Sequence, residues 1–194
     1  MKENFPIVYY RHEAFQEYKD EVSLVLWCFN CNWNCSWCSM KGLIYDKRHI
    51  TDDDYIDLIK NYTSDIETAV VFLGGEPTLY PFGLHTGCIE AKKKGLKTKI
   101  YTNGSHIYPI IDLIDTTLDG TILDAVSIDY KDRKDDLELL RELPEDFNID
   151  IRITKHNGLT SNDIDKMIKK VDRINPNANV YVQDLIVRIE DDSI

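Results

Sequence analysis

Four of the five cysteines in this 194-residue chain lie close together, in the stretch WCFNCNWNCSWCSM. Cys31, Cys35 and Cys38 follow a C-x3-C-x2-C spacing, and Cys28 precedes Cys31 by three residues. Thiolates at this density are typical ligands of a metal ion or an iron–sulfur cluster. The chemical question is whether they form a closed structural site or leave one metal position open for a substrate.

Three kinds of metal site have to be weighed for these cysteines. Structural zinc sites separate their ligand pairs by a dozen or more residues, so the short gap between Cys31 and Cys35 disfavours zinc. A four-thiolate cluster of the ferredoxin kind needs Cys28, but Cys28 ends an apolar run where a thiol serves as a core residue. The third site is a [4Fe–4S] cluster held by Cys31, Cys35 and Cys38, with its fourth iron open.

Other polar and glycine-rich segments carry groups that suit a charged ligand. They are GGEP at 74–77, TNG at 102–104, Asp129 with Lys131, and Arg152. The two glycines allow a backbone to approach a ligand closely, and Glu76 offers a carboxylate to an ammonium group. An arginine on an otherwise apolar strand needs a partner. Each segment also has a plain structural explanation, such as the Asn-Gly turn.

Alternating strand and helix signals predict the elements that position these groups. Apolar or alternating runs predict strands at 23–28, 69–75, 97–104, 125–131, 149–154 and 180–187. Apolar residues at helical spacing predict helices near 55–62, 84–91, 107–114, 137–143 and 164–171, the last capped by Thr160 or Ser161. Such βα repeats predict a parallel sheet, with too few units for a closed eight-stranded barrel.

We therefore expect an α/β fold, a partial (βα)6 open barrel with parallel strands. Residues 1–194 are predicted to form a single domain, with residues 1–20 as an edge segment or lid. Active sites of such folds lie at the carboxyl ends of the strands. The cysteines, GGEP, TNG and Asp129 with Lys131 each follow a predicted strand, so we expect them to meet at one edge of the sheet.

Composition narrows the class of protein. The formal net charge of −11 disfavours binding to phosphate backbones, so we expect no nucleic-acid partner. The first residues lack the apolar segment of a signal peptide, and no apolar run approaches membrane-spanning length. We expect a cytoplasmic protein with no membrane partner. In that reducing compartment, clustered cysteines indicate metal or redox chemistry rather than disulfides.

The combined motifs resemble the radical S-adenosylmethionine (SAM) superfamily. The similarity lies in C-x3-C-x2-C with Trp37 before the last cysteine, followed by GGEP at the end of the second predicted strand. It implies a [4Fe–4S] cluster on Cys31, Cys35 and Cys38 and bound SAM. The SAM contacts that it implies are Trp37, Gly74, Gly75, Glu76, Thr102 and Asn103.

Within that superfamily, the chain is most similar to activating enzymes of glycyl-radical enzymes, and among them to anaerobic ribonucleoside-triphosphate reductase activating proteins. EVSLVLWCFNCNWNCSWC, VVFLGGEPTL and GLKTKIYTNGS carry the resemblance. It implies that Asp129 and Lys131 help to hold the methionyl end of SAM and that Arg152 faces the SAM site. Two departures are Tyr101, where the family commonly has Asp, and Ser39-Met40, where it often has His-Asn.

The activity that this resemblance implies is reductive cleavage of SAM to a 5′-deoxyadenosyl radical. The radical then abstracts hydrogen from a glycine of a partner glycyl-radical enzyme, for which anaerobic ribonucleotide reductase is the expected partner. Flavodoxin or ferredoxin is the expected reductant. No catalytic side chain beyond the cluster and SAM is expected, and the scattered histidines His12, His49, His85, His106 and His156 are expected to be structural or exposed.

Two alternatives stay open at this point. A radical SAM enzyme acting on a small molecule, such as 7-carboxy-7-deazaguanine synthase, shares the cluster pattern and a GGEP-like motif. An electron-transfer or regulatory protein with a four-cysteine cluster requires Cys28 as the additional ligand.

Overall fold

A seven-stranded sheet runs through the molecule with its strands in chain order. The computed structural model describes residues 5–51, 53–114, 121–133, 137–156 and 158–185. The strands are β1 Ile7–Ala14, β2 Ser23–Cys28, β3 Ala69–Gly74, β4 Lys97–Thr102, β5 Ala125–Asp129, β6 Asn148–Lys155 and β7 Asn179–Asp184. Strands β2 to β7 pair in parallel, whereas β1 is antiparallel to β2. The predicted α/β open barrel with parallel strands is confirmed.

Helices connect the parallel strands on one face of the sheet. They are α1 Lys41–Ile44, α2 Tyr55–Asn61, α3 Pro81–Lys93, α4 Tyr108–Ile114, α5 Glu138–Glu142 and α6 Ser161–Ile174, with 3₁₀ turns at Lys47–His49 and Pro77–Leu79. Thr160, one of the two residues predicted as the cap, is the N-cap of α6 and forms a reciprocal capping box with Asp163. No helix in the described part of the chain is long and apolar enough to cross a membrane.

Strand residues alternate between two different environments. One face packs against the helices and holds the main core, which includes Leu24, Leu26, Cys28, Phe72 and Ile100. The other face holds a smaller cluster: Ala14, Tyr18, Val25, Ala69, Val71, Leu73 and Ala125. Cys28 is fully buried at the end of β2, so its predicted place as an apolar strand residue is confirmed.

The strands β1 and β7 form the two edges of the sheet. β1 is the edge strand on one side, which places the amino-terminal segment beside β2, and β7 is the edge on the other side. The predicted strand 180–187 corresponds to β7, and residues 186 and 187 lie outside the described residues. In the described chain β1 and β7 do not pair with each other, so the barrel stays open along this side.

Candidate functional site

A cavity of about 1050 Å³ lies over the carboxyl ends of the parallel strands. Most of the residues singled out from the sequence line it: Cys31, Cys35, Trp37, Cys38, Gly74, Gly75, Thr102, Asn103, Asp129, Lys131 and Arg152. Segments far apart in the chain therefore meet at one place, because parallel strands end on the same edge of the sheet. Glu76 and Cys28 are not among the lining residues.

The cysteine loop presents its thiols to the cavity. Cys35 is buried, Cys31 and Cys38 are half-buried, and all three are free thiols. Burial raises the pKa of the Cys31 thiol, and hydrogen bonds from the backbone N–H of Trp33 and from Asn103 partly offset this. Those donors lie 3.4 and 3.8 Å from Cys31 Sγ. Donors aimed at a sulfur favour its thiolate form, which is the form that binds metal.

The spacing of the thiols bears on the kind of metal group they fit. Among the described residues, no three His, Cys, Asp or Glu side chains converge closely enough to hold a single metal ion. A [4Fe–4S] cluster places each thiolate on a different iron, so its ligands need not meet at one point. Cys31, Cys35 and Cys38 share one cavity wall, and three thiolates on one wall fit the ligation of such a cluster.

Hydrogen bonds fix the shape of the cysteine loop. Tyr45 Oη donates to the backbone oxygens of Trp33 and Cys31, the second at 3.4 Å. Asn32 donates to Ser105 Oγ at 2.8 Å and accepts from Asn103 Nδ2 at 2.9 Å. The loop after β2 is thereby tied to the loop after β4, so the cysteines and the TNG segment are positioned together.

The two glycines at the end of β3, Gly74 and Gly75, lie directly against the start of the cysteine loop. Gly74 has a φ of 112°, which a residue with a side chain rarely adopts. The N–H of Gly75 donates to the Cys28 oxygen at 3.0 Å, and the N–H of Glu76 donates to the Asn30 oxygen at 2.9 Å. The glycines therefore allow a close approach to the backbone of the cysteine loop, while the predicted close approach to a ligand stays a prediction.

Glu76 lies behind the cavity wall and is fully buried. One carboxylate oxygen accepts from Thr78 Oγ1 at 2.6 Å and Thr102 Oγ1 at 2.8 Å, and the other accepts from the Asn103 N–H at 2.7 Å. Burial raises the pKa of this carboxyl, and those hydrogen bonds oppose the rise. Its pairing with an ammonium group stays a prediction, while its contacts show that it joins the segments after β3 and β4.

Trp37 lines the cavity with one face of its ring covered. Its indole stacks on the His156 imidazole, with centroids 3.8 Å apart and an interplanar angle of 12°. His156 follows β6, so this stack joins the cysteine loop to the opposite part of the barrel rim. A packing role for His156 agrees with the expected structural role of the histidines, although its partner could not be foreseen.

Asp129 and Lys131 form an ion pair at the end of β5, and Lys131 lies 5.3 Å from the centre of the Trp33 ring. Arg152 on β6 donates from Nε and Nη2 to Gln183 Oε1, at 3.2 and 2.7 Å. Its guanidinium also lies 4.8 Å from the centre of the Tyr101 ring. The partners of this inward-facing arginine are therefore the side-chain amide of Gln183 and the ring face of Tyr101.

A polar inner wall was not identified from the sequence. Lys99 is almost fully buried and pairs with Asp150 at 2.5 Å. Burial lowers the pKa of the Lys99 ammonium, and Asp150 opposes that shift. Ser127 lies on β5 beside both strands, and its buried hydroxyl has no hydrogen-bond partner among the described residues. The sequence feature that could have predicted this wall is the alternation in KTKIYT and IDIRIT. That alternation places Lys99, Asp150 and Arg152 on one face of the sheet.

Tyr101 tethers the segment that follows β1. Its hydroxyl donates to the backbone oxygen of Glu17 at 2.6 Å and holds the segment after β1, which also lines the cavity.

We expect Tyr101→Phe to lower the free energy of unfolding by about 1 kcal/mol, the usual loss for one such hydrogen bond. Hydrogen exchange should become faster at residues 15–20 alone. Tyr108→Phe, at an exposed tyrosine, is the control; equal exchange at 15–20 in all proteins would contradict the tether.

Comparisons with known proteins agree with this geometry. A family model described as the radical SAM superfamily matches residues 25–171. A Methanocaldococcus jannaschii protein, provisionally named as a glycyl-radical enzyme activating enzyme, is 35% identical over 120 residues, covering 61% of this chain and 47% of that protein. An S-adenosylmethionine-dependent nucleotide dehydratase of a Thermoplasmatales archaeon is 35% identical over 77 residues, covering 40% and 27%.

Among solved structures, one of TYW1 with a lysine–pyruvate adduct bound has a TM-score of 0.43 and 16% identity, covering 79% of this chain and 74% of that chain. The matched region spans less than half of the length of either curated relative named above.

Proposed function

Since the chain belongs to the radical SAM superfamily, we propose that it activates a glycyl-radical enzyme, with an anaerobic ribonucleotide reductase as partner. Members of the superfamily use a [4Fe–4S] cluster and SAM. The observation that carries the proposal is the 120-residue match to the protein provisionally named as an activating enzyme. One open cavity brings together the cysteines, the glycines of GGEP, the first two residues of TNG, and Asp129 with Lys131, and this convergence supports the proposal.

Cys31, Cys35 and Cys38 are the proposed cluster ligands, since they line the cavity and Cys28 does not. Cys28 faces the helix-packed core, and burial raises its pKa well above the usual range, which opposes the thiolate that a ligand requires. This placement disfavours the four-cysteine alternative. When bound, the cluster and SAM would supply reductive cleavage of SAM to methionine and a 5′-deoxyadenosyl radical, with one electron from the proposed flavodoxin or ferredoxin, and this radical would abstract a glycine hydrogen.

In this proposal the protein's own residues bind and orient SAM and shield it from water. The backbone at Gly74 and Gly75, together with Thr102 and Asn103, forms the wall proposed to contact SAM. Glu76 keeps that wall in one arrangement through its bonds to both segments. No side chain has to move a proton in the abstraction step, because hydrogen leaves the glycine as an atom.

The opposite wall offers charges of both signs to the methionyl end of SAM. Asp129 and Lys131 lie side by side on the cavity lining, so they complement an amino group and a carboxylate. Arg152, held by Gln183, is proposed to face the same ligand. Trp37 is proposed to border the adenine with its backbone and the ring face that His156 leaves uncovered.

The cavity rim suits a protein substrate. Phe15 and Tyr181 line the cavity and are 67% and 43% exposed, which leaves aromatic surface for an incoming loop. A glycine in the backbone of a large partner must reach the cavity on such a loop. Flavodoxin or ferredoxin is the proposed reductant, and the cytoplasm under anaerobic conditions is the proposed setting.

A second candidate is a radical SAM enzyme acting on a small molecule. The polar wall of Lys99, Asp150, Ser127 and Arg152 favours it, because a loop glycine does not require buried polar recognition groups. The similarity to a nucleotide dehydratase points in the same direction. A substrate of the 7-carboxy-7-deazaguanine synthase kind would have to be bound by this wall.

One experiment distinguishes these functions. We expect anaerobically reconstituted protein with dithionite and SAM to release 5′-deoxyadenosine, measured by liquid chromatography. Adding a candidate glycyl-radical enzyme should then give a glycyl-radical signal in electron paramagnetic resonance that depends on SAM. Release of 5′-deoxyadenosine without radicals on any such partner would favour the small-molecule alternative, and an intact, reducible cluster that releases none would refute SAM cleavage.

A further inference from the structure

A cationic cluster touches the cysteine loop beside the proposed cluster ligands. The Arg133 guanidinium lies over the Trp33 ring, 4.0 Å from its centre, and Lys131 lies over the same ring at 5.3 Å. Arg133 Nη2 is 3.9 Å from Cys35 Sγ. Trp33 stands between Cys31 and Cys35 in the sequence, so the ring that supports the cations belongs to the loop that presents the thiols.

Hydrogen bonds to Asp132 hold the segment that carries Arg133 in place. Tyr130 is 1% exposed, and its hydroxyl donates to Asp132 at 2.9 Å. Asp132 has a φ of 56°, in the left-handed region, and also accepts from Lys170 on α6 at 3.4 Å. This turn after β5 aims the next residue, Arg133, at the cysteine loop. Planar stacking on an aromatic ring suits an arginine, whose fork then reaches the sulfur.

We propose that Arg133, positioned by the face of Trp33, raises the reduction potential of the cluster bound at Cys31, Cys35 and Cys38. This inference rests on the proposed ligand set. Reduction adds one electron, and therefore one negative charge, to a group already ligated by thiolates. A guanidinium and an N–H directed at a ligand sulfur stabilise the reduced state more than the oxidised state, which makes the electron easier to accept.

The size of the effect follows from the exposure of the side chain. Arg133 is exposed, so water and salt screen part of its charge. For Arg133→Gln we expect the ratio of reduced to oxidised cluster at a fixed ambient potential to fall by about three- to tenfold. The upper figure corresponds to about 59 mV for a one-electron couple. Arg133→Lys keeps the charge but not the planar fork, so we expect it to lie between Gln and wild type.

The test is a potentiometric titration of the reconstituted protein without SAM, followed by electron paramagnetic resonance of the reduced cluster. Iron and sulfide content is measured on each sample. Trp33→Leu should shift the midpoint in the same direction as Arg133→Gln, and Trp33→Phe should retain the wild-type value. The Trp33 N–H donor to Cys31 is a backbone group, so both substitutions at Trp33 leave it in place.

Arg173→Gln is the matched control, because it removes the same charge from an exposed position on α6, whereas Arg133 lies over Trp33 and beside Cys35. A wild-type midpoint in Arg133→Gln with full iron content overturns the inference and leaves the ligand set intact. Loss of iron in Arg133→Gln also overturns it, since Arg133 would then retain the cluster rather than tune it. A wild-type protein that takes up no cluster overturns both this inference and the ligand set.

Discussion

Replacing Cys31, Cys35 or Cys38 with alanine is expected to abolish cluster binding and SAM cleavage. Each thiol lines the cavity, and a cluster held by three thiolates loses one iron's only protein ligand when one is removed. No other cysteine among the described residues lines the cavity to replace it. The expected result is loss of the iron and sulfide that reconstitution introduces, together with loss of 5′-deoxyadenosine release, measured by metal analysis and liquid chromatography.

Cys28→Ala and Cys88→Ala are the matched controls. Both residues are fully buried in the core that the helices cover, so alanine removes a buried thiol in each case without touching the cavity. We expect both variants to keep the cluster and to lose about 1 kcal/mol of stability from the small void. Loss of iron in Cys28→Ala alone would instead establish a four-thiolate site and contradict the open-iron proposal.

The parallel arrangement of β2 to β7 could be predicted because local pattern determines it, whereas the antiparallel strand β1 was not predicted as a strand. Runs such as AVVFLGG and IDIRIT specify strands by composition and by alternation, and the segments between them carry helical spacing. Once units repeat in this way, right-handed crossovers leave one parallel arrangement. That arrangement also brings polar residues after each strand to one edge, which is why most of the residues singled out from the sequence line the cavity, Glu76 excepted.

The contacts between these segments could not be predicted, since they depend on distances that alternation does not encode. A GGEP sequence shows a carboxylate near two glycines, but not that Glu76 bonds to Thr102 and Asn103 across two strands. The Trp37 and His156 stack likewise joins residues more than a hundred positions apart. The alternation in β4 and β6 did carry a signal for the inner wall, which requires comparing both strands together.

Among the glycines of the site, Gly75 is the one at which adding a Cβ atom is expected to lower the free energy of unfolding the most. A Cβ there would lie 1.6 Å from the Asn30 carbonyl oxygen and 2.5 Å from its carbonyl carbon. Both are backbone atoms, so no side-chain rotation can relieve the overlap. Asn30 itself has a φ of 67° and receives the Glu76 N–H, which leaves the cysteine loop little freedom to retreat.

We therefore expect Gly75→Ala to lower the free energy of unfolding by about 3 kcal/mol or more, measured by urea denaturation. It should also reduce iron uptake, because the displaced backbone begins the loop that carries Cys31. Gly95→Ala is the control: its φ is 76° and a Cβ there meets nothing within 4 Å, so only backbone strain of about 1–2 kcal/mol is expected, with normal iron uptake. Equal urea midpoints for the two variants, both with full iron content, would contradict this prediction. They would show that Gly75 is needed only for the conformation of its own turn and does not position the cysteine loop.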